Sequence, residues 1–119
     1  MLQSWFGDKN EQSASAVNRT PEAQAVVDQA TQNLALYYYE TCWFCGTVRS
    51  TIEKLGLAIE LRDIHGDREH HGRLMRDGGS GTVPCLLIGD GVEGSKWMYE
   101  SKDIRAYLEK KFGVTVDEI

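Results

Sequence analysis

A chain of 119 residues with 41% apolar and 26% charged residues has room for one ordinary core, is too short for two full domains, and is neither disordered nor membrane-embedded in composition. Its net charge of -5 argues against a phosphate-binding surface and so against nucleic acid as a partner. No stretch reaches the roughly 20 apolar residues of a spanning helix, and three cysteines are too few and uneven for a stapled secreted scaffold, which points to a reducing cytoplasm.

The opening stretch, "MLQSWFGDKNEQSASA", has neither the basic start nor the apolar segment of a secretory signal. Its polar, aperiodic composition reads as a mobile extension. Leu2, Trp5 and Phe6 within it are either part of a frayed terminus or a contact for a membrane surface or partner. Thr20 and Pro21 make a helix start, and Ala23, Val26, Val27 and Ala30 follow at i, i+3, i+4 and i+7 as one apolar stripe. A helix over about 21–32 is expected to dock on the domain, with residues 1–33 forming an extension.

"LALYYY", from Leu34 to Tyr39, is apolar or aromatic without alternation, as in a central strand covered on both faces. From Phe44 to Leu55 the pattern turns helical, with Val48, Ile52 and Leu55 on one side and Gly56 as the stop. "LAIELRDI" is a bounded β-rich run, so residues 34–64 predict a βαβ unit with parallel strands and a right-handed crossover. "HGDREHHGRLMRDGG" suits a short polar helix ending at Gly78, and "TVPCLLIGDG" with "SKWMYES" reads as a hairpin around a Gly-Asp-Gly turn. The last helix is capped by Ser101, carries Ile104, Tyr107, Leu108 and Phe112 on one face, and stops at Gly113. The order β-α-β-α-β-β-α over residues 34–113, followed by a tail at 114–119, predicts an α/β domain: a mixed four-stranded sheet flanked by helices.

The chemistry centres on "ETCWFCG", where a C-x-x-C pair can hold a metal, staple a fold or exchange electrons. Cys42 falls between the end of a buried strand and the start of a helix. Free amides and about half a positive charge there stabilise a thiolate. Cys42 is therefore the better nucleophile, and Cys45, one turn on, can close a disulfide behind it. His65 and His70 complete C-x2-C-x19-H-x4-H, but the gap exceeds the usual 12 to 15 or so of a zinc site and would contain a helix and a strand. With His71 they are expected to be solvated beside Asp63, Asp67 and Glu69. Pro84 suits a strand start, with a trans bond favoured by frequency, and Cys85 after it reads as a small buried apolar residue.

Taken together, strand, Cys42-Trp43-Phe44-Cys45, helix, strand and then Thr82-Val83-Pro84 opening a hairpin resembles the glutaredoxin branch of the thioredoxin fold. That resemblance covers residues 34–113 and implies a thioredoxin-like fold, a cis bond before Pro84 beside the cysteine pair, and glutathione paired with the backbone of Val83. "YESKDIRAYL" is similar to the E-S-x-x-I stretch of the glutathione-binding domain of glutathione transferases, where the acid and hydroxyl hold the γ-glutamyl end. The chemistry suits it: the ammonium of that group would meet Glu100, and its carboxylate the Ser101 hydroxyl and the amides of a helix start. Ser101 also reads as an ordinary cap, and the two roles are compatible. A complete transferase is not expected, because its helical second domain would have to follow residue 113, where six residues remain.

Two positions depart from the pattern. Trp43 stands where many glutaredoxins have proline, restoring an amide donor and adding an aromatic near the thiolate. Glutaredoxins lacking that proline include members that bridge two subunits through a [2Fe-2S] cluster held by the first cysteine of each and by glutathione thiols. The usual upstream lysine is also missing. Tyr39 and Glu40 stand in its neighbourhood, and Glu40 would oppose the helix dipole at Cys42.

The resemblance thus implies a glutathione-dependent thiol-disulfide oxidoreductase acting in the cytoplasm, as a monomer, on glutathionylated or disulfide-bonded proteins. Cys42 and Cys45 would be catalytic, and glutathione, the co-substrate, would be held by Trp43, Phe44, Thr82, Val83, Pro84, Glu100 and Ser101. Arg49, about 10 Å along the helix from Cys42, reads as solvent-facing or at most a contact for a glutathione carboxylate. The alternatives are a dimeric cluster carrier or sensor with Cys42 as iron ligand and, less favoured, a structural zinc module.

Overall fold

The computed structural model describes residues 19–113; the readings of residues 1–18, with Leu2, Trp5 and Phe6, and of residues 114–119 lie outside them. Helix α1, Pro21–Ala30, starts as its sequence predicts, with the Ala23 amide donating to Thr20 Oγ1 at 3.1 Å. Its apolar stripe behaves differently from expectation. Ala23, Val26 and Ala30 are exposed, Val26 by 69%, and Val27 alone of the four packs against the core.

Polar contacts dock the helix instead. Arg19 Nη1 donates to the Leu55 carbonyl at 2.6 Å and Nη2 to the Phe112 carbonyl at 2.8 Å, while Gln24 Nε2 donates to the Gly56 carbonyl at 2.9 Å. Those carbonyls end two other helices, where unpaired acceptors and the negative pole of the dipole attract a guanidinium. Two alanines and two valines offer too little apolar area to dictate the docking. Removing Arg19 in an Arg19→Ala variant is expected to cost about 2 kcal/mol, whereas Val26→Ser should stay within about 0.5 kcal/mol; thermal unfolding of the pair checks both.

Strand β1, Leu34–Tyr38, is buried at every position. It pairs in parallel with β2, Glu60–Asp63, and antiparallel with β3, Cys85–Ile88. Strand β4, Lys96–Met98, pairs antiparallel with β3, giving the order β2-β1-β3-β4. The unbroken apolar run of β1 follows from burial on both faces. Leu34, Leu36 and Tyr38 meet Cys45, Val48 and Ile52 of α2, Trp43–Lys54, and Ile104, Leu108 and Phe112 of α4, Ser101–Phe112. Ala35 and Tyr37 meet Ile64, Leu74, Cys85 and Leu87, with half-buried Trp97 and Tyr99. The ladder of β2 is shorter than the run at 57–64 because β2 is an edge: Leu57 and Ile59 are buried ahead of it, and Leu61 within it is exposed.

Helix α3, Arg68–Arg73, continues as a π-helical turn over Leu74–Gly78. It ends at Gly78, as its sequence suggests, and Gly79, whose φ of 92° suits glycine, caps it. Gly78 serves space instead, since a Cβ there would lie 2.5 Å from Tyr99 Oη and 2.9 Å from the Trp97 ring. At α4 the N-cap is Glu100, without a side-chain capping bond, and Ser101 is the first helical residue. The expectation that Ser101 caps the helix is therefore off by one position.

Candidate active site

Chain direction reverses after β1 at Tyr39, whose carbonyl accepts from the Cys42 amide at 3.2 Å. That turn sets Cys42 as the N-cap of α2, with extended backbone, φ -77° and ψ 113°, and its Sγ accepts from the Cys45 amide at 3.1 Å. A sulfur in that place is the soft counterpart of a capping hydroxyl, and as a thiolate it would gain from both the amide and the dipole. Cys42 and Cys45 form a disulfide, with Cα atoms 5.1 Å apart. The pair is asymmetric: Cys45 is wholly buried beside Val48, and Cys42 is half-buried at the rim. The two residues between them point outward, Trp43 72% and Phe44 59% exposed, with their rings edge to face at 5.1 Å.

The Val83–Pro84 bond is cis, as the resemblance implied against the general frequency of such bonds. Its loop, the start of α4 and α2 frame one cleft of about 200 Å³ lined by Phe44, Thr82, Val83, Pro84, Glu100 and Ser101. Three stretches far apart in sequence thus meet. Tyr99 completes the lining without having been singled out from the sequence; its position directly before Glu100, at the end of a β-rich run, was the available signal.

Tyr99 also braces the loop. Its hydroxyl donates to the Ser80 carbonyl at 2.9 Å, and Ser80 Oγ in turn accepts from the Thr82 amide at 3.2 Å. Burial, with the adjoining Cys85 thiol acting in the same direction, pushes the Tyr99 phenol up to about 12. Burial, against the lowering effect of Tyr99, also pushes the Cys85 thiol up to about 12. Cys85 is fully buried, as its sequence context predicts, and at neutral pH it stays an unreactive thiol.

Trp43 lines a different cleft, of about 480 Å³, together with Glu40, Thr41, Cys42, Thr47 and Ser50. In that cleft Glu40 Oε1 accepts from Arg49 Nη1 and Oε2 from the Tyr38 hydroxyl, each at 3.3 Å. Arg49, expected to be solvent-facing, lies with its guanidinium 4.9 Å from the centre of the Tyr38 ring and is about one-third exposed. The histidines are dispersed. His65 stacks on Tyr39 at 4.3 Å, His70 lies 3.6 Å from Asp67 with its ring edge toward Tyr37, and His71 is exposed. Among the described residues no three His, Cys, Asp or Glu side chains gather where a metal ion could be held, and no helix is long and apolar enough to cross a membrane.

Residues 36–115 match the family described as glutathione S-transferase, N-terminal domain. No curated protein matches the chain. Among solved structures, it is similar to an epsilon-class glutathione S-transferase from the housefly Musca domestica, with 23% identity and a TM-score of 0.56 over 71% of this chain and 37% of that one. It is similar to wheat glutaredoxin, with 22% identity and a TM-score of 0.51 over 76% of this chain and 84% of that one. It also resembles a thioredoxin-like protein, with 18% identity and a TM-score of 0.52 over 66% of this chain and 96% of that one. These likenesses show a thioredoxin-like fold; the chain spans little more than a third of the transferase's length.

Proposed function

Because this chain belongs to the glutathione S-transferase N-terminal-domain family, we propose that it is a glutathione-dependent thiol-disulfide oxidoreductase of the glutaredoxin type, with Cys42 as nucleophile. One observation carries the reading within that family: a rim-exposed cysteine at the N-cap of α2, bonded to a buried cysteine one turn on. A transferase forming thioethers must activate the thiol of glutathione itself and has no use for such a pair. Thiol-disulfide exchange needs one.

In the reduced state the Cys42 thiolate is held by the Cys45 amide and the positive end of α2. It attacks the glutathione sulfur of a mixed disulfide; a Cys42–glutathione bond forms, the old S–S bond breaks, and the protein leaves as thiolate and takes a proton. A second glutathione thiolate then attacks that intermediate, giving oxidised glutathione and free Cys42. With a protein disulfide, Cys45 resolves the intermediate, and two glutathione molecules reduce the resulting Cys42–Cys45 bond. In this reading the 200 Å³ cleft holds glutathione, with the cis-Pro84 loop supplying Thr82 and the Val83 backbone, Phe44 forming a wall, and Glu100 and Ser101 taking the γ-glutamyl ammonium and carboxylate. The activity is assigned to residues 34–113, acting as a monomer in the cytoplasm.

A [2Fe-2S] cluster would draw one ligand from this chain, Cys42 in its reduced form, since Cys45 and Cys85 are buried; the remaining thiolates would come from the first cysteine of a second copy and from glutathione.

Purified protein given glutathione and a glutathionylated peptide should release the peptide thiol and oxidised glutathione. Given glutathione and an electrophilic aryl halide, it should form no thioether above the uncatalysed rate. Thioether formation without disulfide reduction would move the assignment to transferase chemistry.

A further inference from the structure

We propose that the cleft beside Cys42 selects polypeptide disulfides flanked by a cationic side chain, lysine or arginine, which lies on the Trp43 ring and faces Glu40. This rests on the oxidoreductase reading and names the substrate class of the same site. Cys42 itself lines this cleft and not the one assigned to glutathione, so a polypeptide brought to the Cys42 sulfur is flanked here.

The charges are one-sided. Glu40 is the one charged residue lining the 480 Å³ cleft and Glu100 the one lining the 200 Å³ cleft, and neither contains a lysine, arginine or histidine. The γ-glutamyl ammonium of glutathione answers Glu100. Glutathione has no second cation for Glu40, and the contacts of Glu40 with Arg49 and the Tyr38 hydroxyl, each at 3.3 Å, leave its side chain 65% exposed. The rest of the wall carries the hydroxyls of Thr41, Thr47 and Ser50 beside Gly46 and adds no opposing charge.

Trp43 supplies the second half of the recognition. At 72% exposure its ring is not spent on the core, and the edge-to-face contact with Phe44 engages at most one of its two faces. A free indole face beside a carboxylate is the arrangement that attracts an ammonium or guanidinium. The net charge of -5 draws a basic partner in the same sense.

The test uses three glutathionylated peptides identical except for arginine, glutamate or leucine next to the modified cysteine, with kcat/KM measured for the full chain at low and high salt. The arginine peptide should be favoured over the glutamate peptide by about tenfold at low salt, less at high salt. In Trp43→Ala and in Glu40→Gln that ratio should each fall about threefold, whatever the overall rate. Equal rates for arginine and glutamate peptides in the unmodified protein overturn the inference, as does a leucine peptide favoured over arginine, or a ratio unmoved in the double variant; all three leave the oxidoreductase reading standing. Reduction of no peptide at all removes that reading and the inference with it.

Discussion

Cys42→Ser is expected to lower glutathione-dependent disulfide reduction by at least about 10³-fold, on substrates of every size. A serine in the N-cap position still accepts the Cys45 amide, so the helix start is kept and the chain folds. The change removes the ionisable sulfur alone, and no helix dipole lowers a hydroxyl enough to form an alkoxide at neutral pH. Cys85 offers no substitute, because burial keeps its thiol protonated. Cys45→Ala separates the two routes: release of glutathione from mixed disulfides continues, and reduction of protein disulfides falls by a factor on the order of 10² or more. Alanine suits that fully buried site better than serine, whose hydroxyl would need a partner there. Rates on one glutathionylated peptide and one protein disulfide, for the three proteins, check both statements.

Asp90→Ala is expected to destabilise the chain by about 3 kcal/mol, through two guanidiniums left without their shared partner. Asp90 sits in the β3–β4 turn and receives Arg62 Nη2 at 2.6 Å and Arg73 Nη2 at 3.1 Å. Arg62, 11% exposed, also donates to the Tyr37 hydroxyl at 2.8 Å and pairs with Glu60 at 3.0 Å, while Arg73 lies over the Trp97 ring. One carboxylate thereby ties the edge strand, α3 and the hairpin together. Burial raises the Asp90 carboxyl, and the two guanidiniums more than offset it, leaving the group below its ordinary value. The unfolded chain therefore binds the proton more readily. The contribution is complete above about pH 4, the unfolded value, and is lost as pH falls through the lower folded one. Denaturant unfolding at pH 7 and pH 3 should show Asp90→Asn clearly weaker than the unmodified chain at pH 7, with the gap shrinking at pH 3. An equal gap at both would show that the charge of Asp90 contributes nothing.

The fold was legible wherever local pattern and long-range structure agree. "LALYYY" could be a central strand because residues without alternation need cover on both sides, and α2 with α4 supply it on one face and Leu74, Trp97 and Tyr99 on the other. Cys42 could be placed at a helix start because a strand pattern stops and a helical one begins around it. The cis bond at Pro84 was legible through resemblance and not through propensity, which favours trans.

What sequence did not carry was pairing between distant polar groups. Arg19 reaching two helix ends, and Asp90 joining Arg62 and Arg73, have no periodicity to betray them. The α1 stripe misled for the related reason that spacing reports a face but not the area that face would bury. Ser101 and Glu100 exchanged capping positions because both residue types suit a helix start. Trp43 parted from Phe44 into a separate cleft, since successive residues at a helix start point in different directions.

Cys45→Ala protein mixed with a glutathionylated peptide and no other thiol should halt at the covalent intermediate. Mass spectrometry of its proteolytic fragments should then find one glutathione, on the fragment holding Cys42, released when free glutathione is added. A protein that turns the peptide over yet carries no adduct there, or carries it on Cys85, would contradict the assignment of Cys42 as the nucleophile.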